Sequence, residues 1–270
     1  MGVKKMKKIT IATLLSVAML TTTVVAENIK MGVILGFTGP IESLTPTMAG
    51  SAEMAFKEAS DSGKLLNGST IEVVRADSTC IDAAAATSAA ERLITSDRVA
   101  GIMGADCSGV TTAIANNVAI PNGVTMVSPS ATSPALTDID DNGYFFRTAP
   151  SDARGGEILA QVVIERGVSK VAVTYTNNDY GKGLADSFSS AFTALGGTVT
   201  MDAAHEDGKG DYSAEVAALS ASGANELVVI GYLDQGGRGI IQSSIDSGAF
   251  STFVLSDGMI GQSLIDNVDG

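Results

Sequence analysis

Residues 99–136, VAGIMGADCSGVTTAIANNVAIPNGVTMVSPSATSPAL, constrain the fold more than any other stretch of the chain. A short apolar run, residues 99–103, breaks into Gly104-Ala105-Asp106-Cys107-Ser108-Gly109. A helical stretch over residues 110–120 follows, and a second apolar run, residues 124–127, ends in Ser128-Pro129-Ser130-Ala131-Thr132-Ser133-Pro134. The order is strand, loop, helix, strand, loop. In a parallel sheet both loops emerge at the carboxyl ends of the strands, where open α/β sheets bind ligands. Both loops are rich in hydroxyl side chains and carry no Lys or Arg. Ser108 stands where the helix is expected to begin, so its hydroxyl and the free N–H groups of the first turn can receive an anion. Without added cations such a site suits a carboxylate better than a polyphosphate. The plainer alternatives are that Ser108 is an N-cap and residues 128–133 a turn.

The same alternation runs along the whole chain. Strand-like runs at residues 29–37, 71–76 and 144–147 and helices over 46–62 and 82–95, the latter with Asp82 as a candidate cap, surround the central stretch. After Thr148-Ala149-Pro150-Ser151-Asp152 the pattern restarts. Helices over 154–166, 184–195, 211–221 and 238–247 alternate with strands over 170–175, 198–203, 226–232 and 252–255. The expected fold is α/β, with two doubly wound parallel-sheet lobes joined by a hinge at residues 148–152. The expected organisation is a leader over 1–26, a first lobe over 27–148 and a second over 149–270.

The leader expectation rests on Lys4, Lys5, Lys7 and Lys8 ahead of an apolar run, residues 9–20, with Val24-Val25-Ala26 behind it. This is the pattern of a cleaved secretory signal, and the run is short for a membrane span. Export allows the chain's two cysteines, Cys80 and Cys107, to pair; each follows a strand, and neighbouring strands would bring them together. Two free thiols are the alternative. The net charge of −13, more acidic still once the leader lysines are gone, argues against nucleic acid and anionic membranes. A single histidine, His205, excludes an ordinary metal cluster and offers a poor triad base, and no cofactor is expected. Gly32, Gly36 and Gly39 follow the first strand at the wrong spacing for a dinucleotide fingerprint, and no phosphate loop or nucleophile elbow appears. A nicotinamide enzyme is therefore the weakest of the readings.

With these residues laid out, the chain resembles the leucine/isoleucine/valine-binding family of periplasmic receptors, the type I periplasmic binding proteins. The likeness is carried by Gly36-Phe37-Thr38-Gly39-Pro40, the two cysteines, Cys107-Ser108, Ser128-Pro129-Ser130-Ala131-Thr132 and Asp179-Tyr180-Gly181-Lys182-Gly183. The resemblance implies two lobes that close over one free amino acid, Leu, Ile or Val being favoured, and hand it to the membrane permease subunits of an ABC importer from the periplasm, as a monomer. It implies that Ser108 holds the α-carboxylate, that Thr132 meets the carboxylate by its N–H and the amine by its hydroxyl, and that the Ser130 carbonyl also meets the amine. Tyr180 would close over the ligand and Asp257 would pair with the ammonium, where leucine-type members commonly have Glu. The plainer reading of Asp257 is a turn residue before Gly258. Leu44 forms pocket wall where such members often carry Trp, and Leu233-Asp234-Gln235-Gly236 replaces their aromatic loop. The family runs on for roughly a hundred residues more, so a C-terminally truncated chain is expected. The alternative within the fold is the ligand domain of an amino-acid or amide sensor.

Overall fold

The structure is a computed structural model describing residues 26–269; the expected leader lies, up to residue 25, outside the described residues. The chain forms two parallel sheets. The first contains β1 (Asn28–Leu35), β2 (Thr70–Asp77), β3 (Gly101–Gly104), β4 (Thr125–Ser128) and β5 (Phe145–Arg147), in the order β2-β1-β3-β4-β5. The second contains β6 (Lys170–Thr176), β7 (Thr198–His205), β8 (Glu226–Ile230) and β9 (Phe253–Leu255), in the order β7-β6-β8-β9. In each sheet the chain steps outward once and then returns across its first strand. The order therefore reverses between β1 and β3 and again between β6 and β8, and such switch points open a crevice at the strand ends.

Parallel strands covered on both faces read as continuous apolar runs, and Val33-Ile34-Leu35, Val171-Ala172-Val173 and Leu227-Val228-Val229-Ile230 are fully buried. Side chains alternate across β1. Val33 and Leu35 face α1 (Thr45–Asp61) through Ala49 and Phe56, while Ile34 joins Ile102 and Met126 against α2 (Ala83–Glu91) and α3 (Ser108–Ile114) on the other face. The helices open on local signals. Asp82 accepts the N–H groups of Ala84 and Ala85 at 2.9 and 3.0 Å, as its sequence position suggested.

The helices around the second sheet are α4 (Asp152–Glu165), α5 (Asp179–Ala194), α6 (Ser213–Ala221) and α7 (Gly236–Ser247), with a short α8 (Gln262–Asp266) after β9. Helix α4 starts two residues earlier than expected because Ser151 caps it through the Ala153 N–H, which draws Asp152 out of the connecting turn and into the helix. Gly156 lets α4 and α5 meet: a Cβ there would stand 2.6 Å from the Phe188 backbone nitrogen.

Helix α3 begins at Ser108 as expected, while one plainer alternative and one expectation at the centre need correction. Ser108 is not the N-cap of α3. Cys107, in extended conformation, takes that position, and Ser108 is the first helical residue. Nor are the cysteine-bearing loops on neighbouring strands, since β1 lies between β2 and β3. The Cys80–Cys107 bridge forms all the same, with the two Cα atoms 5.2 Å apart. It spans the end of β1, where a Cβ on Gly36 would lie 3.0 Å from that of Cys80. With the cysteines 27 positions apart in sequence, reduction is expected to lower stability by about 3–4 kcal/mol on the chain-entropy account. Denaturant unfolding with and without reductant measures this; coincident curves from fully reduced and oxidised protein would show that the bridge constrains nothing.

Candidate functional site

The loops after β1, β2 and β3 are knotted together from beneath by one acid that the sequence reading did not single out. Asp106 is 2% exposed, and its carboxylate accepts the Gly36 N–H at 2.7 Å, the Cys107 N–H at 3.0 Å and the Ser78 hydroxyl at 3.3 Å. Burial pushes its pKa up and these bonds pull against that. On this base sits Ser108, whose Oγ accepts the N–H groups of Thr132 and Ser133, both at 3.1 Å. The two hydroxyl-rich loops are thus joined side by side, as β3–β4 pairing requires. Ser108 Oγ, accepting twice, keeps its own proton to donate, and the N–H groups at the head of α3 have no partner within the helix. Ser130 Oγ donates to the Asp106 carbonyl at 3.1 Å. The Thr132 N–H is already spent on Ser108, so its expected contact with a ligand carboxylate is not available in this arrangement. The Thr132 hydroxyl, by contrast, is buried and faces the Asp152 carboxyl.

The second sheet faces this shelf with aromatic and acidic groups. Tyr180, in the first turn of α5, is positioned by Asn178, whose side chain caps the helix through the Gly181 N–H at 3.0 Å. The Tyr180 hydroxyl donates to Asp257 Oδ1 at 2.6 Å, lies 2.9 Å from Ser256 Oγ and accepts the Gly258 N–H at 3.2 Å. Burial and the neighbouring Asp257 charge hold the Tyr180 pKa well above the phenol range, so it remains a donor. Asp257 itself is solvent-exposed, with Oδ1 engaged by tyrosine. Tyr232, at the end of β8, stacks on Tyr180 with ring centroids 5.3 Å apart. The sequence reading missed Tyr232. It directly precedes the loop judged to lack an aromatic and supplies an aromatic wall from just ahead of it.

These groups line a cavity of about 110 Å³ shared between the two sheets, several times the roughly 10–15 Å³ that one water needs. Ser108, Ser130, Ile41, Leu44 and Met48 come from the first side, and Tyr180, Tyr232, Asp257 and Gly258 from the second. Each follows the carboxyl end of a strand, and both switch points contribute. Leu44 stands in the wall of the smaller cavity. Ser130 and Asp257 also border a second cavity of about 370 Å³, which runs past Thr132 and Asp152 along Ile158, Leu159 and Val162 of α4. Neither cavity is lined by Lys or Arg.

The two sides also touch directly. Asp234 Oδ2 accepts the Ser43 N–H at 2.9 Å, and the Asp234 N–H donates to the Pro40 carbonyl at 3.1 Å. Asp234→Ala removes a charge-assisted bond worth about 1.5–3 kcal/mol at most without altering the cavity lining. We expect weaker ligand binding and a larger radius of gyration by X-ray scattering; an unchanged radius and affinity would mean that these bonds do not hold the two sides together.

With the geometry in hand, comparison with known proteins is specific. Residues 28–259 match the periplasmic binding protein family. The chain is similar to Leu/Ile/Val-binding protein homolog 1 of Brucella melitensis, 30% identical over 88% of the chain and 62% of that protein. It is 27% identical, over 91% of the chain and 64% of the relative, to the leucine-, isoleucine-, valine-, threonine- and alanine-binding protein of Pseudomonas aeruginosa. The chain thus spans about three fifths of the length of these relatives. Among solved structures, the branched-chain amino-acid transporter substrate-binding protein LivJ of Streptococcus pneumoniae, in complex with isoleucine, superposes with a TM-score of 0.76 at 28% identity, covering 88% of this chain and 67% of that one. A solute-binding protein of an R. palustris ABC transporter, in complex with 4-hydroxybenzoate, shares the fold at a TM-score of 0.73 and 22% identity, over 86% of this chain and 62% of that one.

Proposed function

Because the chain belongs to the periplasmic binding protein family, we propose that it is a non-enzymatic receptor capturing a free aliphatic amino acid, Leu, Ile or Val, in the cleft between its two sheets. In this reading residues 27–148 and 149–270 are lobes that hinge at residues 148–152, where the chain passes from β5 into α4. Its partners are the permease subunits of an ABC importer, and it works as a monomer in the periplasm. Among the described residues no helix is long and apolar enough to cross a membrane.

The observation that carries the proposal is the opposition of neutral hydrogen-bond donors and a carboxylate across one cavity. Ser108 and the head of α3 offer donors to a carboxylate on one side, and Asp257 offers a carboxylate to a cation on the other. A zwitterionic head satisfies both. A bare aromatic acid such as 4-hydroxybenzoate satisfies the first and leaves Asp257 facing an uncharged or anionic group. Ile41, Leu44 and Met48 line the same cavity with apolar surface, which suits an aliphatic side chain that gains about 0.8 kcal/mol per buried CH₂. In this reading Ser130 and Thr132 offer carbonyl and hydroxyl groups to the amine, as the family resemblance implies, and Tyr180 is a neutral donor that orients Asp257.

Thermal-shift screening against free amino acids, amides and benzoates tests this. Stabilisation by leucine, isoleucine or valine is expected, and stabilisation by benzoates alone would overturn it. Ser108→Ala is expected to weaken leucine binding by about 1–3 kcal/mol, because the hydroxyl donor is lost while the helix N–H groups stay. Calorimetry on the variant checks this, and unchanged affinity would remove Ser108 from the site.

A further inference from the structure

We propose that Gly183, in the second turn of α5, is the point on which the two sides seat when they close over a ligand, which makes it a positioning residue for capture. The inference goes beyond the amino-acid reading above and rests on it. A Cβ at Gly183 would stand 2.7 Å from Pro134 Cδ, 3.5 Å from Ser133 Oγ and 3.6 Å from Pro134 Cγ. Helix α5 belongs to the second side, and Ser133-Pro134, after β4, to the first. Among the glycines of the described residues, Gly183 is the one whose added Cβ would come within 3 Å of the opposite side; Gly156 and Gly181 would meet their own side first. Glycine inside a helix is less stable than alanine. Outside its own helix, no atom of the second side lies nearer to that point than 3.6 Å. The second side therefore has room for a methyl group there, and the docked first side does not.

The surface that Gly183 meets is stiff and tied to the site. The proline ring holds Cδ on the main chain, so it cannot swing away. Arg147 donates to the Ser133 carbonyl at 2.8 Å and to the Thr137 hydroxyl at 2.6 Å, which braces both ends of the turn at Pro134–Thr137. The Ser133 N–H donates to Ser108 Oγ at 3.1 Å. On the other side Tyr180 stands three residues before Gly183, on the same face of α5, and its hydroxyl donates to Asp257. Seating Gly183 on Pro134 thus sets how far Tyr180 and Asp257 stand from Ser108. The Asp234 bonds to Ser43 and Pro40 join the two sides at a separate place. Those bonds draw the sides together, whereas Gly183 decides how near they come.

Calorimetry with L-leucine, and denaturant unfolding without ligand, on Gly183→Ala, Pro134→Ala and the double variant test this. Gly183→Ala is expected to lower leucine affinity about tenfold, the size of an ordinary overpacking penalty. Its ligand-free midpoint is expected to equal or exceed that of wild type, because alanine favours the helix. Pro134→Ala removes the ring atom that the new methyl would meet, so the double variant is expected to regain most of the lost affinity. A merely structural glycine would lose stability and affinity together. A ligand-free midpoint well below wild type in Gly183→Ala overturns the proposal, and so does full leucine affinity in that variant or a loss that the double variant does not recover. Each of these results leaves the amino-acid reading standing. Wild-type protein that binds none of leucine, isoleucine and valine overturns that reading, and this inference with it.

Discussion

Asp257→Asn is expected to weaken binding of L-leucine by about 2–3 kcal/mol, roughly 30- to 150-fold. The carboxylate is solvent-exposed in this structure, so the pair it forms is not one already buried. Its strength comes from what the ligand itself covers, and from Tyr180, which holds Oδ1 and leaves Oδ2 for a cation. An exposed ion pair is worth less than 1 kcal/mol, whereas a hydrogen bond to a charged group inside a closed cleft is worth about 1.5–3 kcal/mol. The larger figure holds only if closure excludes water. Asn keeps the shape and the tyrosine contact, so folding stability should change little. A loss below 1 kcal/mol by calorimetry would mean that the ammonium stays in water and that Asp257 is a turn residue, as its place before Gly258 allows.

Between pH 4.5 and 6.5 His205 and Asp152 should make opposed contributions to the pH dependence of stability. Burial holds His205 down to about 4 from its ordinary 6.5. Its ring, bonded to Thr174 through Nδ1, has no partner for Nε2. The unfolded chain takes up a proton as pH falls through 6.5 and the folded chain does not, so His205 costs stability as pH falls from 6.5 to 4, roughly 3 kcal/mol in all. Asp152 acts in the opposite sense. With its folded pKa raised from 3.8 to about 7, its contribution is fully present below 3.8 and is lost as pH rises to 7, roughly 4 kcal/mol. Relative to wild type, Asp152→Asn should therefore lose more stability on acidification, and His205→Asn less. Denaturant midpoints at pH 4.5, 5.5 and 6.5 measure both. Parallel profiles for wild type and the two variants would contradict the account.

The sheet architecture was legible because buried parallel strands carry continuous apolar runs and the loops between carry Gly, Ser and Asp. Ser108, Ser130 and Thr132 were legible as a group because β3 and β4 are consecutive in the chain and adjacent in the sheet. The pairing of Cys80 with Cys107 was legible too, though for a reason that does not hold, since β1 separates their strands. What stayed hidden depends on strand order and long-range packing. Tyr232 joins Tyr180 only because β8 returns beside β6. Asp234 meets Ser43 across 191 residues of sequence, which no local pattern encodes. Asp152 read as part of a turn because a one-residue cap, Ser151, decides whether it belongs to the turn or to α4. The buried Asp106 gave no signal apart from standing next to Cys107, since its partners come from three different loops.

The central claim, that one cavity holds both charges of an amino acid, is tested most directly by calorimetric titration with L-leucine, leucinamide, N-acetyl-leucine and 4-hydroxybenzoate. Leucinamide lacks the carboxylate that Ser108 would hold, N-acetyl-leucine lacks the cation that Asp257 would hold, and 4-hydroxybenzoate lacks both the cation and the aliphatic chain. The account predicts tight binding of leucine alone, with each single-charge analogue at least 30-fold weaker. Binding of N-acetyl-leucine or 4-hydroxybenzoate as tight as that of leucine would contradict it.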